Sequence, residues 1–200
     1  MKFCILSLIL SFLVSCEAQT PELKNGDILF QASYSQQSEA VEVATNSPYS
    51  HCGILFYENG KPYVYEAIQP VGKRPLSAWI AAGTDGKVVV MRLKDTTYFT
   101  AENILKMKNF CSAQFGKNYD AVFNWSDKEW YCSELVWKVY KQVLNLSLCK
   151  PKALKEYNID DPRVRKIMQQ RYGNEIPYDE NMVAPVDVYQ SNLLREVYNN

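Results

Sequence analysis

The rhythm of apolar and polar positions changes several times along the chain, and each change marks an element. Asn25-Gly26-Asp27 interrupts the chain before Ile28-Leu29-Phe30, which reads as the start of a strand. Ser38 to Thr45 reads as a short helix stopped by Asn46-Ser47-Pro48. His51 to Tyr57 and Pro62 to Ile68 are β-rich runs flanking Glu58-Asn59-Gly60-Lys61, and Asn-Gly between such runs is a strong hairpin signal. Val88 to Leu93 predicts a further strand. In Thr100 to Phe115, Ile104, Leu105, Met107 and Cys111 form one apolar face, which predicts an amphipathic helix ended by Gly116. A second helix is expected over Asp127 to Leu144, with Leu135, Val136, Val139, Tyr140 and Val143 as its buried stripe. Cys149 to Asp179 is charged and carries no clear pattern apart from a helix over Asp161 to Tyr172, where Pro162 suits an early position. Ala184 to Val197 closes the chain as a short helix or turn. The order predicts an α+β fold, mostly antiparallel sheet with helices packed on it.

Charge and leader residues narrow the setting. The 22 Lys plus Arg balance 22 Asp plus Glu, so there is no electrostatic footprint for nucleic acid. Lys2 followed by the apolar run Phe3 to Val14 has the form of a secretory signal peptide. The run is shorter than the roughly 20 residues a membrane span needs. Leu13-Val14-Ser15-Cys16 resembles the lipobox of bacterial lipoproteins, which implies cleavage after residue 15 and a lipid on Cys16; ordinary cleavage near Ala18 is the competing reading. The expected organisation is a signal peptide over residues 1–15, a tether over 16–24 and one domain over 25–200, anchored in the bacterial envelope through Cys16. Cys52, Cys111, Cys132 and Cys149 are too few for a disulfide scaffold in a domain of this size, although one Cys52–Cys111 or Cys111–Cys149 bridge stays open.

The chemistry converges on the hairpin. A two-residue Asn59-Gly60 turn pairs Glu58 with Lys61 and, counting outwards, Gly53 with Glu66 and His51 with Ile68. His51 and Glu66 then share a face as diagonal neighbours, about 7–8 Å apart at the backbone, and the missing side chain of Gly53 leaves room between them. Glu66 can orient the imidazole and stabilise its charged form. Alternation sends Cys52 to the opposite face, which argues against its taking part. His51 is the single histidine, so imidazole chemistry has no other source, and one histidine with scattered thiols lacks zinc spacing. No metal or other cofactor is expected. Cys111 falls on an apolar helix position and reads as core. Cys132 precedes a strong helical stripe, where a helix N-terminus lowers a thiol pKa, but Ser126-x-x-Glu129 has the form of a capping box that would put Cys132 in the second turn.

Five segments resemble the permuted papain-like amidases of the YaeF/YiiX type, relatives of the NlpC peptidases. They are Gly26-Asp27-Ile28-Leu29, Ser50-His51-Cys52-Gly53-Ile54, Val64-Tyr65-Glu66-Ala67, Gly116-Lys117-Asn118-Tyr119-Asp120 and Tyr131-Cys132-Ser133-Glu134-Leu135-Val136. Ala184-Pro185-Val186-Asp187-Val188 is similar to the family's closing segment. The resemblance implies a circularly permuted papain-like (NlpC-type) fold, an antiparallel sheet or small barrel packed with helices. It implies a Cys132, His51, Glu66 triad in which the histidine precedes the cysteine in the chain. The Cys132 backbone N–H is expected in the oxyanion hole, with Tyr131 as a second candidate, whereas Asp27 reads as a turn residue. The implied activity is amide hydrolysis in a cell-wall or other short peptide through a thioester. A lipid acyl hydrolase or acyltransferase on the same fold, and an inactive binding module, are the competing readings.

The leader gives the first testable expectation. Wild-type protein is expected in the membrane fraction and Cys16→Ala in the soluble fraction, because acyl chains on Cys16 supply the anchor. A variant as membrane-bound as the wild type excludes the lipoprotein reading.

Overall fold

The computed structural model describes residues 22–200, so the expected signal peptide, Cys16 and most of the expected tether lie outside the described residues. A six-stranded sheet has the order β4-β3-β2-β1-β5-β8 and every neighbouring pair is antiparallel. Its strands are β1 (Ile28–Gln31), β2 (His51–Glu58), β3 (Lys61–Glu66), β4 (Gly72–Pro75), β5 (Val89–Leu93) and β8 (Leu194–Asn199). The sheet is open, with β4 and β8 at its two ends. A two-stranded ribbon, β6 (Lys152–Ala153) with β7 (Asn181–Met182), lies outside it. The helices are α1 (Gln36–Thr45), α2 (Leu76–Ala81), α3 (Ala101–Ser112), α4 (Cys132–Leu144), α5 (Pro162–Tyr172) and α6 (Pro185–Tyr189).

Both faces of the sheet are covered, and strand alternation divides the core between them. Ile28, Phe30, Cys52, Ile54 and Phe56 point to the face carrying α3 and α4, where Met107, Cys111, Leu135, Val136 and Val139 complete the larger core. Leu29, Leu55, Val64 and Val90 point the other way and bury Trp79 of α2. The stripe expected for α4 is therefore the one buried. On α3, Leu105 belongs to the solvent instead, at 57% exposure, because Met107 and Cys111 define the inward face.

The hairpin register is the one counted from the turn. Glu58 pairs with Lys61 and Ile54 with Tyr65, and the same count puts Gly53 opposite Glu66. Asn59 and Gly60 both have positive φ, 49° and 76°, the backbone of a type I′ turn. A Cβ on Gly53 would stand 2.5 Å from Val64 Cγ1 and 3.0 Å from the Tyr65 carbonyl oxygen.

Three departures from the sequence pattern matter. First, α4 begins at Cys132, not near Asp127, because residues just before it are held extended: Trp130 N–H donates to Asn118 O and Asp120 N–H to Trp130 O. Ser126 caps no helix; its Oγ accepts only from Lys128 N–H. Second, residues 194–199 form an edge strand where a helix or turn was expected. A bulge opposite Val90 and Met91 adds a residue to β8 and erases its alternation. Third, β4 and α2 had no clear pattern, since each is short. Against this, α5 starts as expected, with Asp161 as N-cap and Pro162 in the first turn, and it packs on α1. The four described cysteines are free thiols, so neither open disulfide forms.

Gly53→Ala is expected to lower stability by about 1–3 kcal/mol, the usual cost of overpacking. A denaturant midpoint equal to the wild type would show that β2 and β3 tolerate separation at this point.

Candidate functional site

His51 is the first residue of β2 and Glu66 the last of β3, so both lie at the same end of the hairpin. Their face is the one covered by α2. His51 Nε2 is 2.6 Å from Glu66 Oε2. Glu66 is fully buried, and a carboxylate there requires partners for both oxygens. Trp79 Nε1–H donates to Oε2 at 2.9 Å, Arg74 Nη2 to Oε2 at 3.0 Å, and Arg74 Nε to Oε1. Burial pushes the Glu66 pKa up, but the hydrogen bonds from His51 and Arg74 outweigh it and hold the group below its ordinary value. The Trp79 ring also stacks on the imidazole, with centroids 6.0 Å apart and planes 30° apart. Arg74 on β4 and Trp79 on α2 were not foreseen as site residues. Their elements carry too little periodicity to be read, and only the folded hairpin brings them over Glu66.

Cys132 approaches from the opposite face. It is the first residue of α4, with Tyr131 as a N-cap that offers no side-chain bond. The helix N-terminus therefore presents free N–H groups and its positive dipole end at the thiol. His51 stands at the very end of β2, at the margin where Cys132 lies, and the two side chains shift each other's pKa. With Nε2 engaged by Glu66, Nδ1 is the nitrogen left for the thiol.

Cys52 is nearer this chemistry than alternation suggested. Its side chain does lie on the face opposite His51, but that is the face α4 covers, and Cys52 and Cys132 share one buried core there. Cys52 pulls the Cys132 pKa well down, burial opposes it, and His51 pulls it down further. Burial pushes Cys52 well up, so Cys52 stays a neutral donor. On His51, burial acts downwards, but Cys132 and the hydrogen-bonded Glu66 raise the pKa to about 10. The two shifts run in the direction of a thiolate beside an imidazolium.

Tyr131 is buried against Phe123, and its hydroxyl accepts the Val183 N–H at 3.2 Å. Asp27 stands away from the site: it accepts from Lys24 N–H in the turn before β1 and forms a buried ion pair with Arg92, 2.6 Å from Oδ1 to Nε. Among the described residues, no group of three or more His, Cys, Asp or Glu is placed to hold a metal ion.

Known proteins resemble this chain over most of its length. A family model described as permuted papain-like amidase enzyme, YaeF/YiiX, C92 family, matches residues 22–198. The uncharacterized protein YiiX of Escherichia coli strain K12 is 43% identical over 190 residues, covering 95% of this chain and 93% of its own length. A crystal structure described as metalloprotein yiiX from Escherichia coli O157:H7 superimposes with a TM-score of 0.84 at 42% identity, over 88% of this chain and 97% of that one.

His51 is the single histidine, so its NMR titration can be read directly. The imidazole is expected to stay charged through neutral pH and to lose its proton near pH 10. Since Cys132 raises that value, Cys132→Ala should lower it. A wild-type midpoint near the ordinary 6.5 would mean that no ion pair forms.

Proposed function

The chain belongs to the permuted papain-like amidase family, and we propose that it hydrolyses an amide bond through a thioester on Cys132, with His51 as acid and base and Glu66 as the partner of the imidazole. The observation that carries this reading is the imidazole of His51 held by the buried carboxylate of Glu66, beside a thiol at the first residue of α4 whose pKa it lowers.

The steps follow from that arrangement. The Cys132 thiolate attacks the amide carbonyl carbon, and the developing oxyanion is met by N–H groups at the start of α4, that of Cys132 among them. The C–N bond then breaks while imidazolium His51 gives its proton to the leaving nitrogen, which departs as an amine. Water attacks the thioester with His51 as base, the acid is released and the thiolate returns. Glu66 keeps the ring in register throughout and stabilises its charge. The solved relative is described as a metalloprotein, but the donor set of the described residues here does not suit a metal, and no step calls for one. A lipid on Cys16 would place this chemistry at the envelope membrane.

Cys132→Ala is expected to be folded and inactive and to lose labelling by a thiol-reactive acyl probe. Cys52→Ala should keep activity within about tenfold, the scale of one hydrogen bond. Because Cys52 lowers the Cys132 pKa, its removal should move the acid limb of the rate profile to higher pH. Probe mapped to Cys52, or an active Cys132→Ala, overturns the assignment.

A further inference from the structure

The catalytic pair and the entry of the chain lie at opposite ends of the sheet. β1 leaves the turn at Gly26 and Asp27 and runs toward Ser33 and Ser35, which line an open groove together with His51. β2 returns antiparallel, from His51 at that end to Tyr57 near the other. At about 3.3 Å per residue, the strand puts about 20 Å between the two. Tyr57 lines a second groove, shared with Leu23 and Lys24 ahead of β1, and its N–H donates to Asn25 Oδ1. Arg92 Nη2 donates to Glu22 O at 2.8 Å, which pins the first described residue to this end. The base of the domain is therefore where the chain from Cys16 arrives.

The base is cationic and apolar at once. Lys24, Lys108 and Arg195 line its groove, and none of them has a carboxylate partner among the described residues. Lys108 Nζ donates only to the Tyr57 carbonyl oxygen. Arg195 stands directly opposite Arg92 across β5 and β8. Asp27 gives both its oxygens to Arg92, so the second guanidinium is left without an anion. Like charges paired across a sheet repel, and an outside anion relieves that repulsion. Glu22 is the single acid in the lining. Around these cations, Leu105 of α3 is 57% exposed, and Leu193, whose carbonyl accepts Lys94 N–H just before β8, is 38% exposed at the same end. Uncompensated cations among exposed leucines suit a phospholipid surface, where phosphates meet the charges and the acyl margin meets the leucines.

We propose that the base, through Lys24, Lys108, Arg195 and Leu105, docks on the anionic phospholipid surface to which the chain is tethered, so that Cys132 and His51 face away from that membrane. This rests on the lipid expected on Cys16, and it deepens that reading by fixing the orientation. From Cys16 to Glu22 the chain spans at most about 22 Å, at no more than about 3.6 Å per residue. Turning the catalytic end onto the bilayer would make the tether climb the roughly 20 Å between the ends, which uses nearly all of its reach. With the base down, the tether has slack and the cations meet phosphates. Each cation near an anionic surface strengthens binding about fivefold, and the three together roughly a hundredfold. That is enough to orient the domain but not to hold it without the lipid, so Cys16→Ala still leaves the membrane on fractionation. The site then addresses amides presented on the aqueous side of the membrane.

Vesicle co-sedimentation of purified Cys16→Ala protein separates the docking face from the lipid anchor. Excess phosphatidylglycerol vesicles should retain the protein, pure phosphatidylcholine vesicles should not, and added salt should release it. Lys24→Gln and Arg195→Gln should each weaken retention about fivefold. Both side chains are exposed and lie at the end away from Cys132, so hydrolysis of a soluble amide should be unchanged. Inorganic phosphate at matched ionic strength should not displace the protein, because a surface and not one phosphate is bound. Orientation is read with a bimane label introduced through Leu105→Cys in the Cys132→Ala background, which spares the reactive thiol. Doxyl-labelled lipids should quench it and should not quench a label introduced through Tyr34→Cys, which is 78% exposed at the catalytic end. Equal retention on both kinds of vesicle, no effect of either charge substitution, displacement by phosphate, or quenching at residue 34 in place of residue 105 overturns the proposal. Fractionation of the wild type reports on Cys16 alone, so a soluble wild type with docking intact would strike the anchor and still support the face.

Discussion

A carboxylate without access to water is the constraint on which the site depends. Glu66 is tolerated in the interior only because His51, Arg74 and Trp79 converge on it. Those partners come from β2, β4 and α2, so one end of the sheet is organised around a single side chain. Gly53 admits this by leaving the backbone of β2 in close contact with β3. The imidazole is thereby fixed at one nitrogen and free at the other.

The second half of the site depends on where a helix begins. Residues 119 and 130 bridge two segments and hold the chain extended as far as Tyr131. Cys132 consequently occupies the first position of α4 and not a later turn. Both faces of β2 are then used: His51 belongs to the α2 side and Cys52 to the α4 side, and the thiol of Cys132 meets both at the strand's end. Two neighbours of opposite strand parity therefore both lower the pKa of one sulfur.

One wall of the hollow that begins at Cys132 is formed by α5. Outside the hollow, α5 presents Arg163, Arg165 and Lys166 to solvent. Its apolar residues Val164 and Met168 turn inwards with Leu154 as a small separate core. That division explains why the segment looked merely charged when read along the chain.

Much of the site was legible from residues alone, because hairpin geometry is local. Asn59-Gly60 sets the register, the register puts His51 and Glu66 on one face, and a single histidine leaves no rival. The helical stripe after Cys132 was equally plain, since burial follows its period. What the pattern could not decide were contacts between segments distant in sequence. Whether Ser126 or Tyr131 precedes α4 depends on hydrogen bonds from Asn118 and Asp120, which outweigh a local capping signal. Arg74 and Trp79 sit in elements too short to show a period, and their role exists only once β4 and α2 lie over Glu66. Alternation correctly placed Cys52 away from His51, yet only tertiary packing reveals that α4 covers that face and brings Cys132 to it. Local periodicity determines which way a side chain points; the packing of distant elements decides what it meets there.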